Sequence, residues 1–356
     1  MKVAIAGGGI IGLSIALELR GAGIDVIVFD KHPHGTQTSL AAGGMLAPQK
    51  EAHAPGPFLE LCLRSRTLWP AFAAKVAAIS GRPSTYLESG ILTAAFTDDE
   101  THSLDATAAW QRACSLRVEL LSGDEARRLE PQLSPRVLMA TYFPDDHQVD
   151  PVAFMPALAE AARRSGVRLV TSAVQELRDQ AVVHADGIET ADHVVLASGA
   201  WSSQIAGCPV QVEPVRGQMI ELRGASLPSK ILVGPGCYLI PRADGRAIAG
   251  TTQEHAGFEV ATTAEGIAAI TAAVGSLFPA LAEAPVSRSW AGLRPHASKG
   301  LPVIGPGPSR NLVLATGHFR NGVLLAPVTA RIVAQLIQGQ RTSVDLKPFR
   351  YDRPSS

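Results

Sequence analysis

Gly7, Gly9 and Gly12 stand in the spacing G-x-G-x-x-G, and Asp30 follows eighteen residues after the last of them. That combination is suited to holding a dinucleotide. Gly7 permits a tight turn, Gly9 lets the backbone approach a pyrophosphate, and Gly12 lets a helix pack close against a strand. The amides opening that helix face the phosphates, where the helix dipole favours negative charge. Asp30 is placed to accept hydrogen bonds from an adenosine ribose. The fingerprint serves FAD and NAD alike and does not separate them.

The elements around these residues support the motif. Residues 2–6 (KVAIA) read as a buried parallel strand ending in glycine. Residues 10–22 have helical spacing, with Ile10, Leu13, Leu17 and Leu19 apolar and Glu18 and Arg20 polar, and Gly21 and Gly23 stop the helix. The run DVIVF at 25–29 is a second strand ending at Asp30. Together they form one βαβ unit.

Further along, residues 58–79 predict a long helix, interrupted or kinked near Pro70. Between 84 and 143 lie a strand (GILTAAF), a charged helix around 98–117 and a proline-rich loop. A helix at 152–165 and a strand at 167–171 precede an apparent hairpin, which leads into a buried strand ending in Gly199. Residues 210–250 read as long antiparallel strands with turn signals at GPG and ADGR. A helix at 263–277, a strand at 312–315, a loop at 316–321 and a helix at 322–338 complete the chain before a polar tail after 342.

Of the 356 residues, 46% are hydrophobic and 18% charged, enough apolar material for a real core. Lys plus Arg and Asp plus Glu number 32 each. A formal charge of zero gives no electrostatic reason to expect nucleic acid or an anionic membrane as partner. Cys62, Cys114, Cys208 and Cys237 lack metal-ligand spacing and read as reduced thiols of a cytoplasmic protein. His32, His34 and His53 likewise lack metal spacing and are assigned no role, so no metal site is expected. The apolar N-terminus is broken by three glycines after six residues, with Glu18 and Arg20 following, so it is expected to be a strand, turn and helix rather than a signal peptide or membrane helix.

Strands and helices alternate at both ends, with antiparallel strands between them. This predicts a nucleotide domain assembled from separated stretches, which favours FAD, a long cofactor usually held along its length. The small-residue run TSLAAGGMLAP at 38–48 is suited to passing beside a flat ring. The strand at 194–197 ends in SGAW, and the ATGHFRNG loop precedes a helix whose positive end faces a ring that gains negative charge.

The segments GGGIIGLS, AAGGMLAPQ, PVRGQM, YLIPR, GLRP and ATGHFRNGVLLAP resemble the glycine oxidase branch of the D-amino acid oxidase superfamily of FAD-dependent oxidoreductases, from Val3 to about Leu336. The resemblance implies an α/β fold: a discontinuous Rossmann-like FAD-binding domain (1–80, 145–205 and 290–342) and an inserted, mostly antiparallel substrate domain (81–144 and 206–289), with 343–356 as tail. It implies oxidation of glycine, sarcosine or a small D-amino acid to the imine, which hydrolyses to a 2-oxo acid and ammonia. Hydride passes to the flavin without a catalytic base, and dioxygen is reduced to hydrogen peroxide. That branch also supplies the imine for the thiazole ring of thiamine.

Carried over, the substrate carboxylate clamp falls on Arg294 and Arg320, with Tyr238 donating to the same carboxylate. FAD contacts fall on Gly7, Gly9, Ile10, Ile11, Gly12, Asp30, Lys31, Thr38, Ser39, Gly43, Gly44, Met45, Val174, Gly199 and the loop His318, Phe319, Arg320, Asn321, Gly322, Val323 and Leu324. Where the family commonly has Thr and Asp after GLRP, this chain has His296, Ala297, Ser298 and Lys299. Sarcosine oxidases bond the flavin through a cysteine in this region; none follows Cys237, so FAD is expected to be non-covalent.

Each residue also has a plainer reading. Arg294 could pair with a buried carboxylate, Arg320 could cap its loop, Tyr238 could be core, and His318 could be a hydrogen-bonded structural histidine. The alternative functions are a dehydrogenase feeding a quinone or other carrier, a flavin-binding assembly protein without turnover, and a tRNA-modifying flavoprotein. A homo-oligomer is also expected from the resemblance.

Overall fold

The computed structural model describes residues 1–224 and 226–354, so residue 225 and the last two positions of the expected tail lie outside the description. The first strand, Lys2–Ala6, is central and parallel because Val3, Ala4, Ile5 and Ala6 are all fully buried, leaving neither face for solvent. His193–Leu196 and Asp25–Asp30 flank it in parallel register. Leu312–Thr316 and Arg168–Thr171 extend the sheet outward, and Val303–Pro306 closes one edge antiparallel. The sheet therefore draws its six strands from the beginning, middle and end of the chain.

One face is covered by helices Ile10–Gly21, Pro57–Ser80, Pro151–Arg164 and Gly322–Ile337, whose apolar stripes share one core. On the other face Leu177 and Val182, from a small antiparallel sheet, pack against Ala4, Ala6, Ile27 and Phe29.

The second large sheet has eight strands and is antiparallel throughout except where Ile231–Gly234 lies parallel to Ile91–Ala95. Helix Ala264–Leu277 packs on it through Ile270, Val274 and Leu277. Its longest ribbon pairs Val212–Leu222 with Val286–Ala297, setting Gly217 opposite Gly292 and Val215 opposite Arg294. The α/β class and the mixed character of the two sheets agree with the sequence reading.

Three local expectations are corrected. Pro70 neither interrupts nor ends helix Pro57–Ser80. It lies on the exposed side, while Ser65 Oγ (2.6 Å) and Trp69 Nε1 (2.8 Å) both donate to the carbonyl of Leu324. Those anchors hold the helix against its neighbour across the missing bond, offsetting an interior proline cost of about 3 kcal/mol. The charged helix ends at Ala113, earlier than the pattern implied, after starting on a capping box of Thr97 and Glu100. The segment after 342 docks on the sheet edge rather than trailing off: Phe349 is fully buried, and Arg353 donates to the carbonyls of Leu301, Pro302 and Arg350. Among the described residues no helix is long and apolar enough to cross a membrane.

Candidate active site

The glycine turn is built as its spacing implies. Gly7 has φ of +112°, and a Cβ there would lie 2.3 Å from the carbonyl oxygen of Ala197. A Cβ on Gly12 would lie 1.9 Å from the carbonyl oxygen of Gly7, so only glycine lets the helix approach the turn. The Gly8 amide donates to Asp30 Oδ2 (2.7 Å), the His32 amide to Asp30 Oδ1 (2.9 Å), and the Ile10 amide to Ser39 Oγ (2.9 Å). Each Asp30 oxygen keeps a second lone pair for a ligand hydroxyl.

A cavity of about 460 Å³ begins at this turn and runs between the two large sheets. Gly7, Gly9, Ile10, Ile11, Asp30, Lys31, Thr38, Ser39, Gly43, Gly44, Met45, Val174 and Gly199 line it, as do His318, Phe319, Arg320, Asn321, Gly322 and Val323. Two of the expected cofactor contacts stand outside. Gly12 packs beneath the turn, and Leu324 faces the core, its carbonyl occupied by Ser65 and Trp69.

These residues fit FAD. The cavity joins the phosphate-type turn to the small-residue loop, which has no room for side chains: a Cβ on Gly43 would press on Ile240 and the cavity-lining Tyr238 at 3.0–3.3 Å, and one on Gly44 would meet the Val149 carbonyl oxygen behind the loop at 2.1 Å. Arg242 fixes this loop from below, donating to the carbonyls of Gly43 (2.5 Å) and Val149 (3.2 Å) and to Gln148 (2.7 Å). The Lys31 ammonium lies 4.5 Å from the centre of the Trp201 ring. Helix Gly322–Ile337 presents its N-terminal residues Gly322 and Val323 to the cavity, where its dipole favours negative charge.

At the far end Arg294, Arg320 and Tyr238 line the same space. Arg294 Nη1 donates to the carbonyls of Arg216 (3.3 Å) and Thr252 (3.2 Å), and Nη2 to Thr251 Oγ1 (2.7 Å). A guanidinium has five N–H donors, so two are left for a ligand. Arg294 has no carboxylate partner among the described residues. Burial lowers its pKa, with Tyr238 and Glu51 raising it and Arg320 lowering it, yet it stays a cation at neutral pH. The guanidinium lies directly over the backbone of Gly217, where a Cβ would sit 2.1 Å from Nη2.

The Tyr238 hydroxyl lies 2.9 Å from Met219 Sδ. Burial raises its pKa, with Arg294 and Arg320 pulling the other way, so it stays a neutral donor at physiological pH. Arg320 pairs with Glu51 at 3.2 Å. Of the segment that departs from the family pattern, none of His296, Ala297, Ser298 and Lys299 lines the cavity. His296 packs edge-on against Phe319 (centroids 4.9 Å apart), and Lys299 turns away to the carbonyl of Arg353.

His318 is buried with Nε2 3.1 Å from Thr329 Oγ1, and burial pushes its imidazole from 6.5 to about 3. It is therefore neutral and not poised as a base. Between those two values the unfolded chain binds a proton that the folded chain refuses, so stability is present above 6.5 and lost as pH falls. From pH 6.5 to about 5 the loss is about 2 kcal/mol. His318→Asn removes that share, which is read by comparing the change in denaturant-unfolding free energy between about pH 7 and about pH 5 in the two proteins. Equal pH slopes would contradict the assignment.

Glu51, Gly217, Met219, Thr251 and Trp201 also line the cavity without a role assigned from the sequence, although Met219 closes the segment PVRGQM and Trp201 the segment SGAW. Gly217 stood inside the noted segment PVRGQM. Thr251 and Glu51 carry no local signal, since only the tertiary fold brings them to Arg294 and Arg320.

A family model described as FAD dependent oxidoreductase matches residues 2–336. The glycine oxidase of Geobacillus kaustophilus is 34% identical, the alignment covering 99% of this chain and 96% of that one. Its crystal structure superposes with a TM-score of 0.96 at 33% identity, covering 99% of both chains. A bifunctional ThiO/ThiG protein of Synechocystis is 37% identical over 99% of this chain, which spans about half (54%) of that relative's length.

Proposed function

The chain belongs to the FAD dependent oxidoreductase family, and we propose that within it the protein oxidises glycine, or a comparably small amine or D-amino acid, with dioxygen as acceptor. The observation that supports this reading most is Arg294. It is a buried guanidinium with two free donors and no carboxylate partner among the described residues, in a cavity continuous with a dinucleotide turn.

Held by the glycine turn, Asp30, Ser39 and the 43–45 loop, FAD would supply the hydride acceptor and the redox route to dioxygen, with hydrogen peroxide as the product. The chain's own residues bind and orient. Arg294 meets the substrate carboxylate with its remaining N–H groups, and the planar fork fixes the carboxylate plane. Tyr238 donates its hydroxyl proton to the same carboxylate. Met45 and Met219 present apolar walls that keep water from the substrate Cα. With His318 neutral and bonded to Thr329, the amine loses its proton to solvent before oxidation, and positioning supplies the acceleration.

In this reading Gly7, Gly9, Asp30, Ser39 and the 43–45 loop hold FAD without a covalent bond. Residues 1–80, 145–205 and 290–342 form the cofactor domain, and 81–144 with 206–289 the substrate domain. A cytoplasmic homo-oligomer that supplies an imine for thiamine thiazole synthesis belongs to the same proposal.

The test supplies glycine, sarcosine and D-alanine separately and measures oxygen consumed, peroxide formed and nitrogen product released. Oxygen consumed, peroxide formed and nitrogen product released, which is ammonia from glycine or D-alanine and methylamine from sarcosine, are expected in equal molar amounts with at least one substrate. Turnover seen only with an artificial electron acceptor would mean a dehydrogenase and overturn the oxygen assignment. No turnover with either acceptor would leave a flavin-binding protein without this activity.

A further inference from the structure

Arg320 is the second cation at the far end of the cavity, and among the described residues its only side-chain partner is Glu51. The two differ in setting: the Arg320 side chain is 37% exposed, whereas that of Glu51 is only 12% exposed. Glu51 is held in place by an unusual device. It ends the single helical turn Pro48–Glu51, whose Gln49 and Lys50 amides donate to Asp146 Oδ2 at 3.1 and 3.0 Å. Asp146 is wholly buried and receives Arg66 Nη1 at 3.1 Å. A carboxylate placed this firmly, at the end of the cavity where the other two charges, Arg294 and Arg320, are positive, is not a solvated surface group. Its pairing with Arg320 leaves one guanidinium, that of Arg294, without a counter-charge.

We propose that Glu51 is the charge filter of the substrate site: by neutralising Arg320 it matches the cavity to amines bearing one carboxylate and rejects those bearing a second anionic group. The inference rests on the reading that Arg294 binds the substrate carboxylate. A monocarboxylic amine uses Arg294 and meets a neutral pair beyond it. A dicarboxylic amine of similar size brings its second carboxylate toward Arg320 and must displace Glu51 or lie against it, and juxtaposed like charges disfavour binding strongly.

The test uses the flavin-loaded protein with glycine and its dicarboxylic analogue N-carboxymethylglycine, comparing wild type, Glu51→Gln and the double variant Glu51→Gln/Arg320→Met. The ratio of kcat/KM for the dicarboxylic over the monocarboxylic amine is expected to rise at least about tenfold in Glu51→Gln. It should return to near the wild-type ratio in the double variant, because the gain comes from an unmasked Arg320. A readout independent of turnover is the perturbation of the visible flavin spectrum by acetate and by malonate, with malonate tightening relative to acetate only in Glu51→Gln. An unchanged ratio in Glu51→Gln, or a gain kept after Arg320 is removed, would overturn the filter. Failure of the wild-type protein both to oxidise glycine and to respond to acetate would instead overturn the reading on which it rests.

Discussion

Replacing Arg294 by alanine is expected to lower kcat/KM for glycine by about 10³-fold while the protein still binds FAD. The loss has two sources. A buried carboxylate loses its charge-assisted fork, and the carbonyls of Arg216 and Thr252, with Thr251 Oγ1, lose a donor. Arg294→Lys separates charge from geometry. It keeps a cation but lacks the planar fork, so about 10²-fold is expected to remain lost. Arg294 makes none of the contacts of the glycine turn, so the bound-flavin spectrum should persist in both variants. Wild-type kcat/KM in either would show that the substrate carboxylate binds elsewhere.

The second large effect is expected from the smallest change, Gly217→Ala. The added methyl would lie 2.1 Å from Nη2 of Arg294 and 2.4 Å from its Cζ, closer than any non-bonded contact tolerates. The guanidinium cannot slide aside without breaking its bonds to Thr251, Thr252 and the Arg216 carbonyl. Displacement of about 1 Å is enough to cost about 10²-fold in rate. Because the methyl acts through Arg294, the two changes should not add: once Arg294 is alanine, Gly217→Ala should cost little further. Full additivity in that cycle would mean that Gly217 acts on the fold rather than on the clamp.

How much of this was legible in the sequence depended on how local each cause was. The glycine turn could be read because its strand, turn, helix and Asp30 span only 29 residues from Lys2, and Gly12 answers to Gly7 within that unit, although Gly7 itself makes room for the distant Ala197. The division of the first sheet among distant stretches was legible because buried parallel strands such as 193–196 and 312–316 are short apolar runs. Pro70 misled because helix propensity is local, while the donations from Ser65 and Trp69 that hold the helix come from packing against residue 324.

The proposed clamp was legible only through resemblance. Nothing near Arg294 distinguishes it from an arginine paired with a buried carboxylate, and the strand register that lays it over Gly217 is a property of the folded ribbon. Glu51 was invisible for a related reason. Its significance comes from Arg320, 269 positions away, and from Asp146, which fixes its turn from a third segment. Leu324 belonged to a stretch carried over as a block, and helical periodicity turned it to the core while Val323 faced the cavity.

The most direct test of the account mixes the flavin-loaded protein with glycine in the absence of oxygen and follows the visible flavin absorbance in a single turnover. The account predicts rapid bleaching in the wild-type protein, bleaching slowed by about 10³-fold in Arg294→Ala at low glycine, and recovery of colour when air is admitted. Bleaching at equal rates in the two proteins would contradict the assignment of Arg294 as the carboxylate anchor. Absence of bleaching by glycine, sarcosine and D-alanine alike would contradict the proposed substrate class itself.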